Sequence, residues 1–148
     1  MARIEIEMIE EFVFETELAI RIRDINYGNH LGHDVLVSLM HEARVRFLES
    51  FGFSEADIDG NGLLVSDLAV IYKSQSFYGD TLKFEIGAGE FNTYGCDLFY
   101  RVSNTKTETL VVLAKTGIVF FDHARKKVVK TPRAFSSHFS KSRCGLLV

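Results

Sequence analysis

One long helix-like segment followed by four strand-like segments is the feature that most constrains the fold of this chain. Over residues 34–51 the apolar side chains recur at helical spacing and form one broad face: Leu36, Leu39, Met40, Ala43, Phe47 and Phe51. Asp34 is predicted to cap the start of this helix, and Gly52 is a typical stop signal. Aliphatic-rich patterns then predict strands over residues 63–77, 82–91, 96–103 and 110–121.

The segment before the helix, residues 12–23, alternates in its later part and is predicted to be a first strand. The later strands are joined by short turns such as Tyr78-Gly79-Asp80, which favours antiparallel neighbours. The chain is therefore predicted to be an α+β domain, with an antiparallel sheet of about five strands wrapped around one long central helix. Residues 1–148 are expected to form a single domain.

Composition and charge exclude several classes of protein. The net charge of −3 provides no broad basic face, so a nucleic-acid partner is not expected. The N-terminus lacks the apolar core of a signal peptide, and the longest apolar run, residues 117–121, is too short to span a bilayer. Cys96 and Cys144 have no metal-ligand or redox spacing and are predicted to be buried or free thiols. The expected location is the cytoplasm.

The polar loop over residues 24–33 is the first candidate site. Its glycines and asparagines suit unusual backbone angles, and it leads into the helix, where unpaired N–H groups lie at the positive end of the dipole. Such N–H groups can stabilise the oxyanion that forms when water attacks a carbonyl. His30 and His33 can donate or relay protons near neutral pH. The alternative is that the glycines only make a turn.

Glu42 is the second candidate, because it projects from the third helical turn at the flank of the apolar face. A carboxylate there can act as a general base on water or attack an acyl carbon directly. The alternative is a surface ion pair with Arg46, four residues later. His41 and His123 are interpreted as surface residues. No third strong ligand accompanies His30 and His33 at a recognised spacing, so no metal is predicted.

Several segments together resemble the 4-hydroxybenzoyl-CoA thioesterase family of hot-dog proteins. They are DINYGNHLGHDV at residues 24–35, HEAR at 41–44, FL at 47–48, YGD at 78–80, residues 114–122 and KTP at 130–132. The resemblance runs from about residue 17 to about residue 132. It implies a hot-dog fold and hydrolysis of an acyl-CoA or acyl-carrier-protein thioester to the free acid and thiol. Residues past 132 are treated as a possible C-terminal extension.

The resemblance also implies roles for individual residues. One branch of the family has its catalytic aspartate where this chain has Asn26, so Asn26 is predicted to orient water or the thioester carbonyl. Another branch places a carboxylate nine residues after a loop histidine, a spacing that His33 and Glu42 share. Glu42 therefore receives the carboxylate role, with a backbone oxyanion hole in the loop. The predicted substrate-binding residues are Tyr27, Gly28, Asn29, His30, Gly32 and Asp34, the last also a fallback carboxylate.

In hot-dog enzymes two sheets join edge to edge and the active site lies between subunits, so the resemblance implies a homodimer or homotetramer. It implies no cofactor. Surface cations at residues 125–127, 130 and 133 are candidates for contacting CoA phosphates. Several of the 13 phenylalanines either line an acyl channel or fill the core. Two other functions stay open: a non-catalytic acyl-CoA-binding protein, and a hydratase or dehydratase that uses His33 with Glu42.

Overall fold

The structure is a computed structural model that describes residues 3–139. Its elements, in chain order, are β1 (Phe14–Ala19), a 3-10 turn (Ile22–Asp24), α1 (His33–Glu49), β2 (Gly62–Tyr72), β3 (Thr81–Gly89), β4 (Gly95–Asn104), β5 (Leu110–Asp122), β6 (Lys127–Val129) and α2 (Arg133–Ser136). No helix within residues 3–139 is long and apolar enough to cross a membrane.

All strand pairs are antiparallel, and the sheet order is β1-β3-β4-β5-β2, with β6 added to the far end of β5. The apolar face of α1 and the inward side chains of the strands form one core, in which Ala43, Phe47, Phe84, Tyr100 and Phe120 have no exposed surface. The predicted α+β fold with one long helix is confirmed.

The boundaries of two predicted strands are different in the structure. β1 ends at Ala19, because Asp24 binds the Arg21 backbone N–H (2.8 Å) and bends the chain into the 3-10 turn. β2 ends at Tyr72, after which the N–H groups of Lys73 and Ser74 both donate to the Val111 carbonyl. Residues 73–77 therefore leave the ladder that was predicted to include them.

The helix start also differs from the prediction. α1 begins at His33 with Gly32 as its N-cap, so the prediction that Asp34 caps the helix is wrong. The Leu36 N–H closes the first turn on the Gly32 carbonyl (3.1 Å). Gly52 has φ +83°, the left-handed conformation expected of a residue that ends a helix.

The C-terminal part of the described chain packs into the core. The Phe135 side chain is fully buried, and its ring lies 5.3 Å from that of Phe120 and 5.1 Å from that of Phe139. The sequence predicted neither β6 nor α2, because four- and three-residue elements carry no periodicity. Of the 13 phenylalanines, six are buried core residues: Phe47, Phe84, Phe99, Phe120, Phe135 and Phe139.

Cys96 is a free, buried thiol, as predicted, and burial raises its pKa far above the ordinary value. Cys144 lies outside the described residues.

Candidate functional site

A cavity of about 350 Å³ lies where the start of α1 meets the chain that leaves β2. This volume falls within the range of ligand pockets. The lining residues come from the loop, the helix, the end of β2 and the start of β5: Asn26, His30, Leu31, Gly32, His33, Leu36, Tyr72, Lys73, Ser74, Gln75, Ser76, Val111 and Val112.

Backbone hydrogen bonds fix the loop at the mouth of this cavity. The Leu31 N–H donates to the Ser76 carbonyl (2.8 Å), and the Gly32 N–H donates to the Asp24 carbonyl (3.3 Å). The Asn26 N–H donates to the His30 carbonyl (3.0 Å), which closes a tight loop with Asn29 at φ +67°. Asparagine tolerates this left-handed conformation better than most residues. The loop is therefore held from both sides.

The side chain of Asn26 is oriented by its own loop. Its Oδ1 accepts the Gly28 N–H at 2.9 Å, the pattern of an Asx-turn. The amide oxygen is thereby occupied, and Asn26 itself is one of the residues that line the cavity. A carboxamide with this orientation can donate to a carbonyl oxygen, but it cannot remove a proton from water.

The backbone N–H groups predicted to form an oxyanion hole are only partly available. Those of Leu31 and Gly32 are already bound, to Ser76 and Asp24. The first N–H groups of a helix have no acceptor within it, which leaves those of His33, Asp34 and Val35. The N–H groups that remain available are thus those at the start of α1 rather than those within the loop.

The opposite wall combines a hydroxyl with apolar side chains. The Tyr72 hydroxyl donates to the His33 carbonyl at 2.8 Å and ties the end of β2 to the first turn of α1. Burial, followed by the negative charge of Asp34, raises the pKa of Tyr72, so this hydroxyl stays protonated at neutral pH. Leu36, Val111 and Val112 line the apolar part of the cavity.

The structure brings some of the predicted site residues together and separates others. Asn26, His30, Gly32 and His33 all line the cavity. Gly28 is packed against His30, since a Cβ on Gly28 would lie 3.2 Å from the His30 Nε2. Asn29 and Asp34 flank the cavity without lining it. The Tyr27 side chain is fully exposed.

Glu42 lies elsewhere in the same chain. Its side chain is 52% exposed and pairs with the Arg46 Nε at 3.0 Å. It lines a separate groove of about 610 Å³ between α1 and β1, together with Leu18 and Asp24. The surface ion pair that was the alternative for Glu42 is therefore present within one chain.

The cavity wall formed by residues 72–76 was not predicted from the sequence. The signal was the polar run Lys73-Ser74-Gln75-Ser76 inside a segment predicted to be one long strand. A polar run that interrupts an apolar strand indicates that the chain leaves the sheet at that point.

No group of three His, Cys, Asp or Glu side chains within residues 3–139 is placed to hold a metal ion. The absence of a metal stays a prediction.

The family model of the Thioesterase-like superfamily matches residues 20–139. The sequence is 25% identical over 142 residues to sll0410 of Synechocystis sp., an inferred esterase. The aligned region covers 94% of this chain and 86% of that protein.

Two solved structures share the fold. Slr0204 of Synechocystis, a 1,4-dihydroxy-2-naphthoyl-CoA thioesterase, superposes with a TM-score of 0.76 at 18% identity, over 84% of this chain and 93% of that one. SAV2348 of Staphylococcus aureus, solved in complex with CoA, superposes with a TM-score of 0.78 at 17% identity, over 93% and 87%. The predicted hot-dog fold is confirmed.

Proposed function

The chain belongs to the thioesterase-like superfamily, and from that premise we propose that it hydrolyses an acyl-CoA thioester at the cavity beside Asn26. Water attacks the thioester carbonyl carbon, the C–S bond breaks, and the products are a carboxylic acid and the CoA thiol. The observation that carries this proposal is that Asn26 and His33, the first residue of α1, line the same cavity as the apolar side chains of Leu36, Val111 and Val112.

The cavity suits the charge that develops during this reaction. As water adds, the carbonyl oxygen becomes an oxyanion, which hydrogen-bond donors in a fixed position stabilise. The Asn26 Nδ2 group and the His33 N–H are the proposed donors, because both residues line the cavity, and the positive end of the helix dipole adds to them. Leu36, Val111 and Val112 provide an apolar surface for the acyl group.

The proposed enzyme acts as a homo-oligomer, because one chain leaves the sheet incomplete at β2. This strand is at the edge of the sheet, and Leu64, Val65 and Leu68 on it are each more than 40% exposed. A long apolar edge strand is a ready template for pairing with another chain. Because the same edge of a second copy is complementary to it under two-fold symmetry, we assign that copy as its partner.

The direct test is a screen of the purified protein against short, long, branched and aromatic acyl-CoA esters. Released thiol is measured with a thiol-reactive dye against a substrate-free blank. Catalysed release from at least one ester is expected, and aromatic esters come first because Slr0204 is named for one. Binding of acyl-CoA without any cleavage would indicate a binding protein. Water addition to a crotonyl ester with the thioester intact would indicate a hydratase.

Acyl-carrier-protein esters of the best acyl group form the second arm of the screen. The CoA arm is expected to be faster. Faster release from the carrier protein would identify that protein as the substrate carrier.

The role predicted for Glu42 has its own test, because in one chain this residue lies outside the cavity. A second chain would have to bring Glu42 to the site for it to act as the base. Replacing it by Gln keeps the shape and removes the base, so a catalytic Glu42 predicts a loss in kcat of about 100-fold or more. A surface ion pair predicts unchanged turnover and a stability loss of about 0.2–0.5 kcal/mol.

A further inference from the structure

A network of hydrogen bonds on the β2 side of α1 holds His41, an ionisable side chain outside the Asn26 cavity. The His41 Nε2 lies 3.1 Å from the Glu55 Oε1, and the Arg44 Nε donates to the Glu55 Oε2 at 2.6 Å. Arg44 also donates to the Tyr100 hydroxyl (3.4 Å), which lies 2.9 Å from the Thr116 Oγ1.

The Tyr100–Thr116 end of this hydrogen-bond network lies in the core. Tyr100 and Thr116 are buried, and the Arg44 side chain is only 9% exposed. A buried arginine is stabilised by partners in fixed positions, so Glu55 is clamped by its bond to Arg44. The clamped carboxylate in turn orients the imidazole of His41, whose side chain is 57% exposed. A histidine held by a carboxylate on one ring nitrogen is the usual geometry of an acid–base catalyst.

The His41 side chain borders a groove on the surface. His41 lines a groove of about 290 Å³ with Ser38, Arg44, Val65 and Leu68. This groove runs beside β2, whose outer edge pairs with no other strand within residues 3–139. No partner within residues 3–139 binds the His41 Nδ1.

The proposed two-fold pairing of β2 edges decides which helix residue reaches the second chain. Two antiparallel copies of one strand place the Tyr72 end of each beside the Leu64 end of the other. The cavity lies at the Tyr72 end, and the His41 groove lies toward Val65. In this proposed dimer, each cavity would face the His41 groove of the other chain.

Glu42 cannot take the same position. Consecutive helix residues are about 100° apart around the axis, so His41 and Glu42 project from opposite flanks of α1. The Glu42 flank faces β1, at the other edge of the sheet.

We propose that His41, oriented by Glu55, is the acid–base catalyst of thioester hydrolysis and acts across the dimer at the Asn26 cavity of the other chain. The inference rests on the proposed function. His41 takes a proton from the attacking water as the new C–O bond forms. When the tetrahedral intermediate collapses and the C–S bond breaks, His41 returns this proton to the leaving sulfur. Glu55 is a positioning residue.

The test uses full-length variants and the best acyl-CoA ester from the screen. His41→Ala is expected to lower kcat by about 100-fold or more with little change in KM. Added imidazole is expected to restore part of the turnover, which a purely structural role would not allow. Glu55→Gln is expected to lower kcat less, and Glu55→Asp to recover part of that loss.

Two matched controls accompany these variants. His123→Asn changes an exposed histidine just after β5, and Lys83→Ala changes a side chain on β3, away from both α1 and the cavity; both are expected to keep wild-type kcat. Wild-type turnover by His41→Ala would overturn the catalytic role of His41. A loss of turnover that imidazole does not restore would also overturn it. Neither result would affect the proposed thioester hydrolysis itself. A wild-type protein that cleaves no thioester would overturn the proposed function, and this assignment with it.

Discussion

At the scale of single residues, Ser76 is the clearest sign that the cavity wall is not optimised for stability. Its hydroxyl is buried and has no hydrogen-bond partner within residues 3–139. Leaving a buried hydroxyl unpaired is costly. Ser76→Ala is therefore expected to stabilise the fold by about 1 kcal/mol in urea unfolding. Ser74→Ala is the matched control and is expected to destabilise, because the Ser74 Oγ donates to the Leu110 carbonyl (2.8 Å). A Ser76→Ala variant less stable than the wild-type protein would contradict the interpretation that the Ser76 hydroxyl is buried without a hydrogen-bond partner.

Asp24 provides a second prediction at this scale, because it anchors the entry to the loop. Burial raises its pKa, but the hydrogen bonds and charge of Arg21 outweigh burial and hold the pKa below the ordinary 3.8. A lowered folded-state pKa contributes stability above the ordinary pKa, and this stability is lost as the pH falls through the folded value. Asp24→Asn is expected to cost about 1 kcal/mol at pH 7, since Arg21 is largely exposed. Unfolding curves at pH 7 and pH 3 should show the gap closing at the lower pH, and a gap independent of pH would contradict this.

At the scale of elements, the segment before β1 covers the outer face of the sheet. Ile9 and Glu11 lie over Gly87 of β3, where an added Cβ would lie 2.8 Å from the Glu11 carbonyl oxygen. The Arg101 guanidinium lies 4.4 Å from the centre of the Phe12 ring. This close approach is possible because Gly87 and Gly89, two successive outward-facing positions of β3, have no side chains.

Gly87→Ala is therefore expected to loosen the N-terminal segment. Limited proteolysis within residues 3–13 should accelerate, and the midpoint of thermal unfolding should fall. Gly89→Ala is expected to have a weaker effect, since a Cβ there meets only the Ile9 and Phe99 side chains. Equal protection of Gly87→Ala and the wild-type protein would contradict this account.

The elements also show how far the sequence alone carries the prediction. The long helix and the strands around it follow from periodicity, which reports burial over many residues. The helix start did not, because the backbone of Gly32 acts as the cap without a side-chain signal. Asn26 and His33 could be placed at the site because the loop and helix are contiguous. Ser76 could not, since its position depends on a long-range hydrogen bond between its carbonyl and Leu31.

At the scale of the whole molecule, the proposed oligomer makes a prediction about mass. A dimer of the 16.8 kDa chain is expected by light scattering on a sizing column. Leu68→Lys places a charge on the free edge of β2 and is expected to shift the mass toward that of a monomer. Val128→Lys is the matched control, because Val128 on β6 is equally exposed (43% against 44%) and is expected to leave the mass unchanged. A wild-type monomer would contradict the edge-to-edge pairing.

The most direct measurement of the central claim is kcat/KM for thiol release by the wild-type protein and by Asn26→Ala. The matched control is Asn92→Ala, because the Asn92 Oδ1 accepts the Tyr94 N–H at 3.0 Å in the same kind of turn. Loss of one oxyanion donor is expected to lower turnover of the best acyl-CoA by about 100- to 1,000-fold, with Asn92→Ala near wild type. Equal turnover by Asn26→Ala and the wild-type protein would show that thioester cleavage does not take place at this cavity.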